Sequence, residues 1–335
     1  MTHATDGDDT GPATPIRSIH DVPGWFFWRD QSLFRWFLEA QQESEPGTLV
    51  ELGAFQGKSA VLIGEHLRSD ERFVVVDLFD RVDLLDEDDE LNRREMAKSY
   101  KTLSQQGFED NYLALHDDLP EVVCGLSSTV VDHVEPGSVR FMHIDASHYF
   151  APVAEDIANA KRLMRPGGIV VLDDFRAEHC PGVAAAAWGA VATLGLIPVA
   201  LTDRKMYAVF SEPEWALAVL DERLAADDRF WVGVEDIAGH PVRRLGESTL
   251  NKERRRDQAE AARIARKTAE EAAAAAEAAR LAEEEAARER AVLAEQQARD
   301  RLAARTPRGI VRRVARSVTP PIVSKGIRRV KRRFR

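Results

Sequence analysis

The chain has 335 residues, of which 44% are hydrophobic, and its formal net charge is −10. This length and composition suffice for one substantial folded domain with extensions. Cys124 and Cys180 are too few for a disulfide framework, and the first 15 residues lack the basic and apolar segments of a secretory signal, so a cytoplasmic location is expected.

Charge is distributed unevenly along the chain. Residues 1–250 contain 22 Lys and Arg against 44 Asp and Glu, residues 251–305 contain 13 against 12, and residues 306–335 contain 11 against none. This segregation argues for three physically different regions. Together with the local sequence patterns, it predicts a disordered leader at 1–21, a folded domain at 22–246, a charged helix at 251–305 and a basic tail at 306–335. The acidity of the domain argues against nucleic acid as a partner.

The first predicted loop of interest follows an apolar strand at 48–52. It contains Gly53 and Gly57, and a helix is predicted to begin at residue 58. Glycine lets the backbone turn sharply and approach a ligand. The next predicted strand ends at Asp77, a position where a carboxylate can hold the ribose hydroxyls of a nucleoside. The spacing favours a nucleoside site, and the missing Walker lysine pattern argues against a nucleoside triphosphate.

The central stretch, residues 139–175, reads as strand, loop, helix, Pro-Gly-Gly turn and strand. Such a βαβ unit brings the carboxyl ends of both strands to one edge of a parallel sheet. That edge would collect Asp145, His148, Asp173 and Asp174. Converging carboxylates repel one another unless a cation or a proton lies between them, and oxygen ligands suit Mg²⁺. The alternative is that these aspartates cap helices or face water.

Several motifs together resemble one enzyme family: VELGAFQGKSA, VVVDLF, HIDASHYF, LMRPGGIVVLDDF and PGVAAA. Residues 22–210 resemble class I S-adenosylmethionine-dependent O-methyltransferases, in particular the metal-dependent group that includes catechol O-methyltransferase and macrocin-type sugar O-methyltransferases. The resemblance implies an α/β fold with a Rossmann-like sheet of seven strands. The sheet would be mostly parallel, with a closing antiparallel hairpin that includes residues 206–210.

The resemblance also implies a role for each matching residue. Glu51, Gly53 and Gly57 would shape the loop around the methionine part of S-adenosylmethionine, Ser59 would begin the helix beneath it, and Asp77 would hold the ribose. Either Asp117 or Asp118 would lie near the adenine, after a third strand. Mg²⁺, or another hard divalent cation, would be held by Asp145, Asp173 and Asp174.

His148 is the candidate catalytic base, because the pKa of a histidine lies near the working pH. Catechol O-methyltransferases have a lysine at this offset, and macrocin-type enzymes have an aspartate one position earlier, where this chain has Ser147. The alternative role for His148 is to cap the following helix. The likeness of HIDASHYF to the sugar-modifying branch favours a sugar hydroxyl as the acceptor, although Ala146 replaces the glycine of that pattern.

Two other functions fit the same motifs. A catechol-type methyltransferase would differ only in its small-molecule acceptor. A non-catalytic scaffold with this fold, tethered by its helix and tail, would have no need for clustered carboxylates. The choice between these functions therefore depends on cofactor binding and on the acceptor.

The two C-terminal regions point to partners outside the domain. Residues 251–305 are rich in Ala, Glu and Arg without Pro or Gly, which predicts a long helix that could be solvated or could form a homo-oligomeric coiled coil. The tail at 306–335 alternates apolar and basic residues at helical spacing, and this pattern favours peripheral binding to anionic lipid at the inner face of the membrane. Non-specific nucleic-acid binding and a solvated tail are the alternatives.

Overall fold

The computed structural model describes residues 15–85, 93 and 103–305. Residues 1–14 of the predicted leader and the whole predicted basic tail, 306–335, lie outside this part of the chain. Residues 15–21 belong to the folded domain, because Ile19 is buried in the core beside Val22 and Ile16 packs against the same cluster. The predicted leader is therefore too long at its C-terminal end.

The helices lie at Trp28–Ala40 (α1), Lys58–Gly64 (α2), Gln105–Leu113 (α3), Phe150–Leu163 (α4), Pro181–Thr193 (α5), Pro213–Ala225 (α6) and Thr249–Arg305 (α7), with short 3₁₀ helices at Val82–Leu84 and Ser127–Asp132. The strands lie at Thr48–Leu52 (β1), Phe73–Asp77 (β2), Glu121–Cys124 (β3), Val139–Ile144 (β4), Met164–Leu172 (β5), Ile197–Leu201 (β6), Met206–Val209 (β7), Phe230–Ile237 (β8) and His240–Glu247 (β9).

Over the described residues the strands form one sheet in the order β3-β2-β1-β4-β5-β7-β6-β9-β8. Strands β1 to β5 are parallel, and β7 runs antiparallel to both β5 and β6. The predicted Rossmann-like α/β fold and its closing hairpin are confirmed. Because β7 is antiparallel, its amino end lies at the same edge as the carboxyl end of β5, where Leu172 pairs with Met206.

The sheet has nine strands in the described residues, where seven were predicted. The two extra strands, β8 and β9, form a hairpin that pairs with β6. Their two-residue turn, Ala238-Gly239, has positive φ at both positions (56° and 82°), which is the geometry that matches the twist of a hairpin. The sequence signal was weak because Ala238 is a rare residue at such a position.

The sheet is covered on both faces. Strands β1, β2 and β4 are buried along their whole length, as expected for parallel strands between helical layers. One face packs in a cluster that contains Phe34, Phe37 and Phe141, and the other packs in a cluster that contains Val50, Ile157 and Leu172. Loops at the carboxyl ends of the strands are thus held by rigid, buried strand ends.

The last described helix, α7, has 57 residues and would be about 85 Å long at a rise of 1.5 Å per residue. The chain divides into two units between Arg254 and Arg255. From Lys252 to Ala303 the helix is exposed at every position. No helix in the described part of the chain is long and apolar enough to cross a membrane.

Candidate active site

A cavity of about 620 Å³ opens at the carboxyl edge of the sheet. Its walls are the loops that follow β1 to β5, the turn between β6 and β7, and the segment before α1. Pockets that bind small molecules commonly have this size, and in open α/β sheets they lie at this edge.

Asp77 fixes the loop that follows β1. One oxygen of its carboxylate accepts hydrogen bonds from the backbone N–H groups of Ala54 (2.6 Å) and Phe55 (2.9 Å), and the other accepts from Phe79 N–H (2.6 Å). Burial raises the pKa of Asp77, although the three N–H donors oppose this. Asp77 therefore holds β1 and β2 together at the cavity wall.

Gly53 is required by this arrangement. Its φ is +80°, and a Cβ at this position would lie 2.3 Å from the carbonyl oxygen of Asp145. A side chain here would force apart the loops after β1 and β4. Phe55, two residues on, also has a positive φ (50°) and its ring stacks on Trp25 at 5.5 Å.

Three of the predicted cofactor residues, Gly53, Ser59 and Asp77, line the cavity. Two others lie next to it without lining it. Gly57 is the N-cap of α2 and packs against the Phe108 ring, and Glu51 is fully buried below the cavity, where it binds His143.

Asp117 and Asp118 do not lie at the cavity. Both are exposed and precede β3, whereas the prediction placed them after the third strand. Because β3 is parallel to β2, the residues before it lie at the opposite edge of the sheet. The prediction for these two aspartates is wrong, because the third strand, Glu121–Cys124, follows them instead of preceding them.

A different loop, the one that follows β3, lines the cavity at the edge where Asp117 and Asp118 were predicted. Residues 125–128, Gly-Leu-Ser-Ser, line the cavity beside Asp77 and Glu155. Once β3 is assigned correctly, small and hydroxyl residues directly after it are the signal that could have identified this loop.

A chain of buried polar side chains lies below the cavity. His143 bonds Glu51 through Nδ1 (2.8 Å), and its Nε2 accepts a hydrogen bond from Lys205 Nζ (3.0 Å). Lys205 also donates a hydrogen bond to Asp173. Lys205 is 2% exposed and His143 is 1% exposed, so this network is shielded from bulk water. Neither residue was predicted as part of the site.

Lys205 reaches the network because of the strand directions. It is the last residue of the turn between β6 and β7, and its own N–H donates to Thr202 Oγ1 (2.8 Å). The hydroxyl of Thr202 and that of Tyr207 donate to Asp30, a buried residue of α1 (both 2.9 Å). The site therefore includes a carboxylate from α1 as well as those from the strand ends.

The charges of this network depend on one another. Burial would lower the pKa of Lys205, but the nearby carboxylates of Asp173, Asp145 and Asp30 outweigh it and raise the pKa. Burial would raise the pKa of Asp173, but Lys205 and His143 hold it below its usual range. Burial, followed by the charge of Asp173, raises the pKa of Asp145 well above the usual value, and burial raises that of Asp30 to about 6. Lys205 and Asp173 are thus an ion pair, and the Asp145 carboxyl beside them is harder to ionise than usual.

The three predicted magnesium ligands, Asp145, Asp173 and Asp174, fall into two groups. Potential ligand atoms of Asp145 and Asp173 converge with His143, whereas Asp174 groups with His148 and Cys180. Asp174 has a positive φ (50°), and its carboxylate lies 3.4 Å from the Arg204 guanidinium. The three carboxylates therefore face two different surroundings.

The converging group does not fit a divalent ion, because Lys205 already bonds two of its three members. A divalent ion about 4 Å from this ammonium would be repelled by roughly 8 kcal/mol at an effective dielectric constant of about 20. Mg²⁺ also needs nearly octahedral oxygen ligands and retained waters. Asp145 and Asp173 therefore lie in a lysine-centred cluster with His143, and their role as metal ligands stays a prediction.

His148, the predicted base, lines the cavity and its side chain is 17% exposed. Its Nε2 lies 3.6 Å from an Asp174 oxygen, and its ring meets that of His179 edge-on at 5.9 Å. The N-cap of α4 is Tyr149, the residue after His148. An imidazole that is both accessible and beside a carboxylate can accept a proton.

Aromatic side chains form the outer wall of the cavity. Trp25 is 69% exposed and Phe27 is 42% exposed, and the Arg204 guanidinium lies 5.6 Å from the Phe27 ring. Both precede α1 in a segment that lines the cavity. The wall thus combines flat apolar faces with cationic donors.

Residues 50–175 match the family described as "Methyltransferase domain". The matched region extends from β1 to just after β5 and contains most of the cavity wall. No curated protein matches the chain.

Among solved structures, the O-methyltransferase NovP is similar at 20% identity and a TM-score of 0.45, over 55% of this chain and 81% of that one. The calicheamicin methyltransferase CalS11 is similar at 14% identity and a TM-score of 0.40, over 55% and 79%. An O-methyltransferase from Bacillus cereus is similar at 17% identity and a TM-score of 0.36, over 57% and 85%.

Proposed function

We propose that this chain, which carries a methyltransferase domain over residues 50–175, transfers a methyl group from S-adenosylmethionine to a hydroxyl group of a sugar-containing acceptor. The observation that carries the proposal is the cavity at the carboxyl edge, where the glycine loop after β1 and Asp77 of β2 lie opposite the buried charges of β4 and β5. A scaffold would have no use for buried charges beside an open cavity.

S-adenosylmethionine supplies the activated methyl group when it is bound. Its methionine part would lie against Gly53, its ribose against Asp77 and its adenine against residues 125–128. The close contact between Gly53 and the Asp145 carbonyl supports this placement, because a cofactor can then approach the backbone of both loops. A cavity of about 620 Å³ has room for the cofactor together with part of an acceptor.

The residues of the chain would act mainly by positioning and by moving one proton. His148 would hold and orient the acceptor hydroxyl beside the place where the activated methyl group would be supplied. His148 would accept the hydroxyl proton, and the adjacent Asp174 carboxylate would stabilise the resulting imidazolium.

The outer wall supports a sugar-containing acceptor. The exposed Trp25 and Phe27 offer apolar faces, and Arg204 and His179 offer polar contacts at the same opening. The excess of acidic residues in the domain would repel a polyanionic acceptor. These surroundings fit a neutral polyol with one apolar face.

The C-terminal regions would set where the enzyme works. The charge of the tail supports attachment to an anionic membrane at its cytoplasmic face, and a glycolipid or polysaccharide precursor would then be within reach. The exposed alanine-rich α7 would allow a homo-oligomer.

The test is calorimetric titration of the full chain with S-adenosylmethionine, followed by mass spectrometry of a panel of sugar and catechol acceptors. Gly53→Ala should weaken cofactor binding by tenfold or more, about 1.4 kcal/mol. Gly137→Ala is the matched control, because Gly137 also has a positive φ (+71°) but an added Cβ would meet nothing within 4 Å.

Each contrary result has a separate meaning. If the wild-type chain binds no S-adenosylmethionine, the proposal fails and the scaffold function takes its place. If catechols are methylated and sugars are not, the acceptor class is wrong but the reaction stands. Equal weakening by both glycine variants would contradict the placement of the cofactor at Gly53.

A further inference from the structure

The buried Lys205 has a second consequence. We propose that its ammonium group is the resident cation of the carboxylate cluster, so that the chain binds no divalent metal at Asp145 and Asp173 and methyl transfer proceeds without one. The kinetic part of this inference rests on the proposed function, whereas the metal-binding part does not.

The Lys205 ammonium lies where a metal ion would lie. It bonds an oxygen of Asp173 and the Nε2 atom of His143, two of the three side chains whose ligand atoms converge. A metal at this point would need the same two atoms. Lysine and metal therefore exclude each other at this site.

Lys205 is buried beside the aromatic side chains of the core. Its side chain is 2% exposed, and its ammonium lies 5.7 Å from the Phe26 ring and 6.0 Å from the Phe34 ring. Both rings belong to the core cluster beside the sheet. Moving the ammonium from its polar partners towards these rings would bury a charge without hydrogen bonds, which is costly.

Asp174, the third predicted metal ligand, also has a cation beside it. Its carboxylate lies 3.4 Å from Arg204, the residue next to Lys205 in the same turn. The turn between β6 and β7 thus supplies one cation to each of the two aspartates that follow β5. This pairing of adjacent cations with adjacent carboxylates replaces the charge that a divalent ion would bring.

Lys205 is accordingly a positioning residue. It bonds Asp173, which lies beside Asp145, and it bonds the ring of His143 whose other nitrogen bonds Glu51. The His143 tautomer follows from this network, with the proton on Nδ1 facing Glu51.

The test uses the full chain after EDTA treatment and desalting, with Mn²⁺ as the probe for hard divalent ions. Electron paramagnetic resonance measures bound Mn²⁺, and methyl transfer is measured with and without EDTA. The wild-type chain should bind no stoichiometric Mn²⁺ and should keep its full rate in EDTA.

Lys205→Met removes the charge while keeping the length and the apolar stem. It should lose methyl transfer in EDTA, gain at least tenfold tighter Mn²⁺ binding, and recover part of its rate when Mn²⁺ is added. Lys161→Met, which changes an exposed lysine in the last turn of α4, should leave both measurements unchanged. A purely structural lysine would not give rescue by a metal.

The proposal is overturned if the wild-type chain binds one Mn²⁺ that Asp145→Asn or Asp173→Asn releases, or if EDTA abolishes transfer and Mg²⁺ restores it. If Lys205→Met does not fold, the wild-type measurements decide the question alone. If no acceptor is methylated under any condition, the proposed function fails, while Mn²⁺ binding still tests the lysine.

Discussion

The cluster below the cavity and the helix α7 both contain many opposite charges, but burial makes them physically different. In the cluster, the side chain of Lys205 is 2% exposed and that of Asp173 is 11% exposed, whereas Arg266 and Glu270 on α7 are 83% and 63% exposed. Each buried charge must find partners in the protein because it has lost its water. An exposed pair keeps its water and gains little from its partner.

This contrast explains why the cluster is a network and the helix is a series of separate pairs. Lys205, His143 and Asp173 each bond at least one other buried group. From Glu260 onward, the ion pairs among the described side chains of α7 join residues three or four positions apart, as in Arg263–Glu260 and Arg299–Glu295. Removal of one side chain from the cluster should therefore leave several buried side chains without a partner. Removal of one charged side chain from α7 should leave only one exposed side chain without its partner.

A second buried pair lies at the opposite edge of the sheet and gives a comparison without catalytic chemistry. Arg140, at the start of β4, and Glu71, just before β2, are both fully buried in their side chains and bond at 2.7 Å. Gln41 and the carbonyl of His66 also bond Arg140. Buried charge at the amino edge thus fixes the fold, whereas at the carboxyl edge it faces a cavity.

The largest expected effect is the loss of this second pair. Arg140→Met should lower the free energy of unfolding by about 3–5 kcal/mol, because it leaves the Glu71 carboxylate buried without its main partner. Chemical denaturation of the variant and of the wild-type chain measures the difference. A change below 1 kcal/mol would mean that a buried ion pair contributes no more to stability than an exposed pair on α7.

The same pair predicts a pH dependence. Burial would raise the pKa of Glu71, but Arg140 and Arg68 outweigh it and lower the pKa from 4.5 to about 2. A lowered folded-state pKa gives stability that is complete above the unfolded-state value and is lost as the pH falls toward about 2. Denaturation curves should show that this loss below pH 4.5 is smaller in Arg140→Met than in the wild-type chain.

The next effect concerns function at the cavity. Asp145→Ala should lower methyl transfer by about a hundredfold or more, because Asp173 and Lys205 lose a neighbour that fixes their positions. S-adenosylmethionine binding, measured by calorimetry, should change little. Loss of cofactor binding and of the folded state together would instead give Asp145 a structural role.

A smaller and purely external effect is expected for the tail. Deletion of residues 306–335 removes 11 basic residues and no acidic ones, and should weaken binding to anionic vesicles by tenfold or more. Turnover on a soluble acceptor should stay the same. Vesicle binding that persists after the deletion would refute attachment through the tail.

The smallest effect is expected on α7. Arg266→Ala removes an exposed partner of Glu270 and should change stability by about 0.5 kcal/mol or less. Thermal unfolding followed by far-ultraviolet circular dichroism checks this. A large change would show that Arg266 contacts a second copy of the chain, as a homo-oligomer would require.

Some of the site could be predicted because its residues are close to strand ends in the sequence. Asp77, Asp145, Asp173 and Asp174 each end or follow a strongly apolar strand, so their edge of the sheet followed from the βαβ pattern. Asp117 and Asp118 were misplaced because β3 is short and only partly buried, which made its apolar signal weak. Because this one strand was assigned too early in the sequence, both aspartates were predicted at the wrong edge of the sheet.

The sequence by itself determined the βαβ unit at residues 139–175, the parallel core of the sheet and the carboxylates at its carboxyl edge, because these depend on local hydrophobic period and on chain direction. Only the tertiary structure decided which cationic side chain pairs with those carboxylates. Lys205 lies 32 residues after Asp173, and their contact exists because β7 returns antiparallel to β5. No local pattern encodes such a pairing, since it depends on which strands become neighbours in the folded sheet.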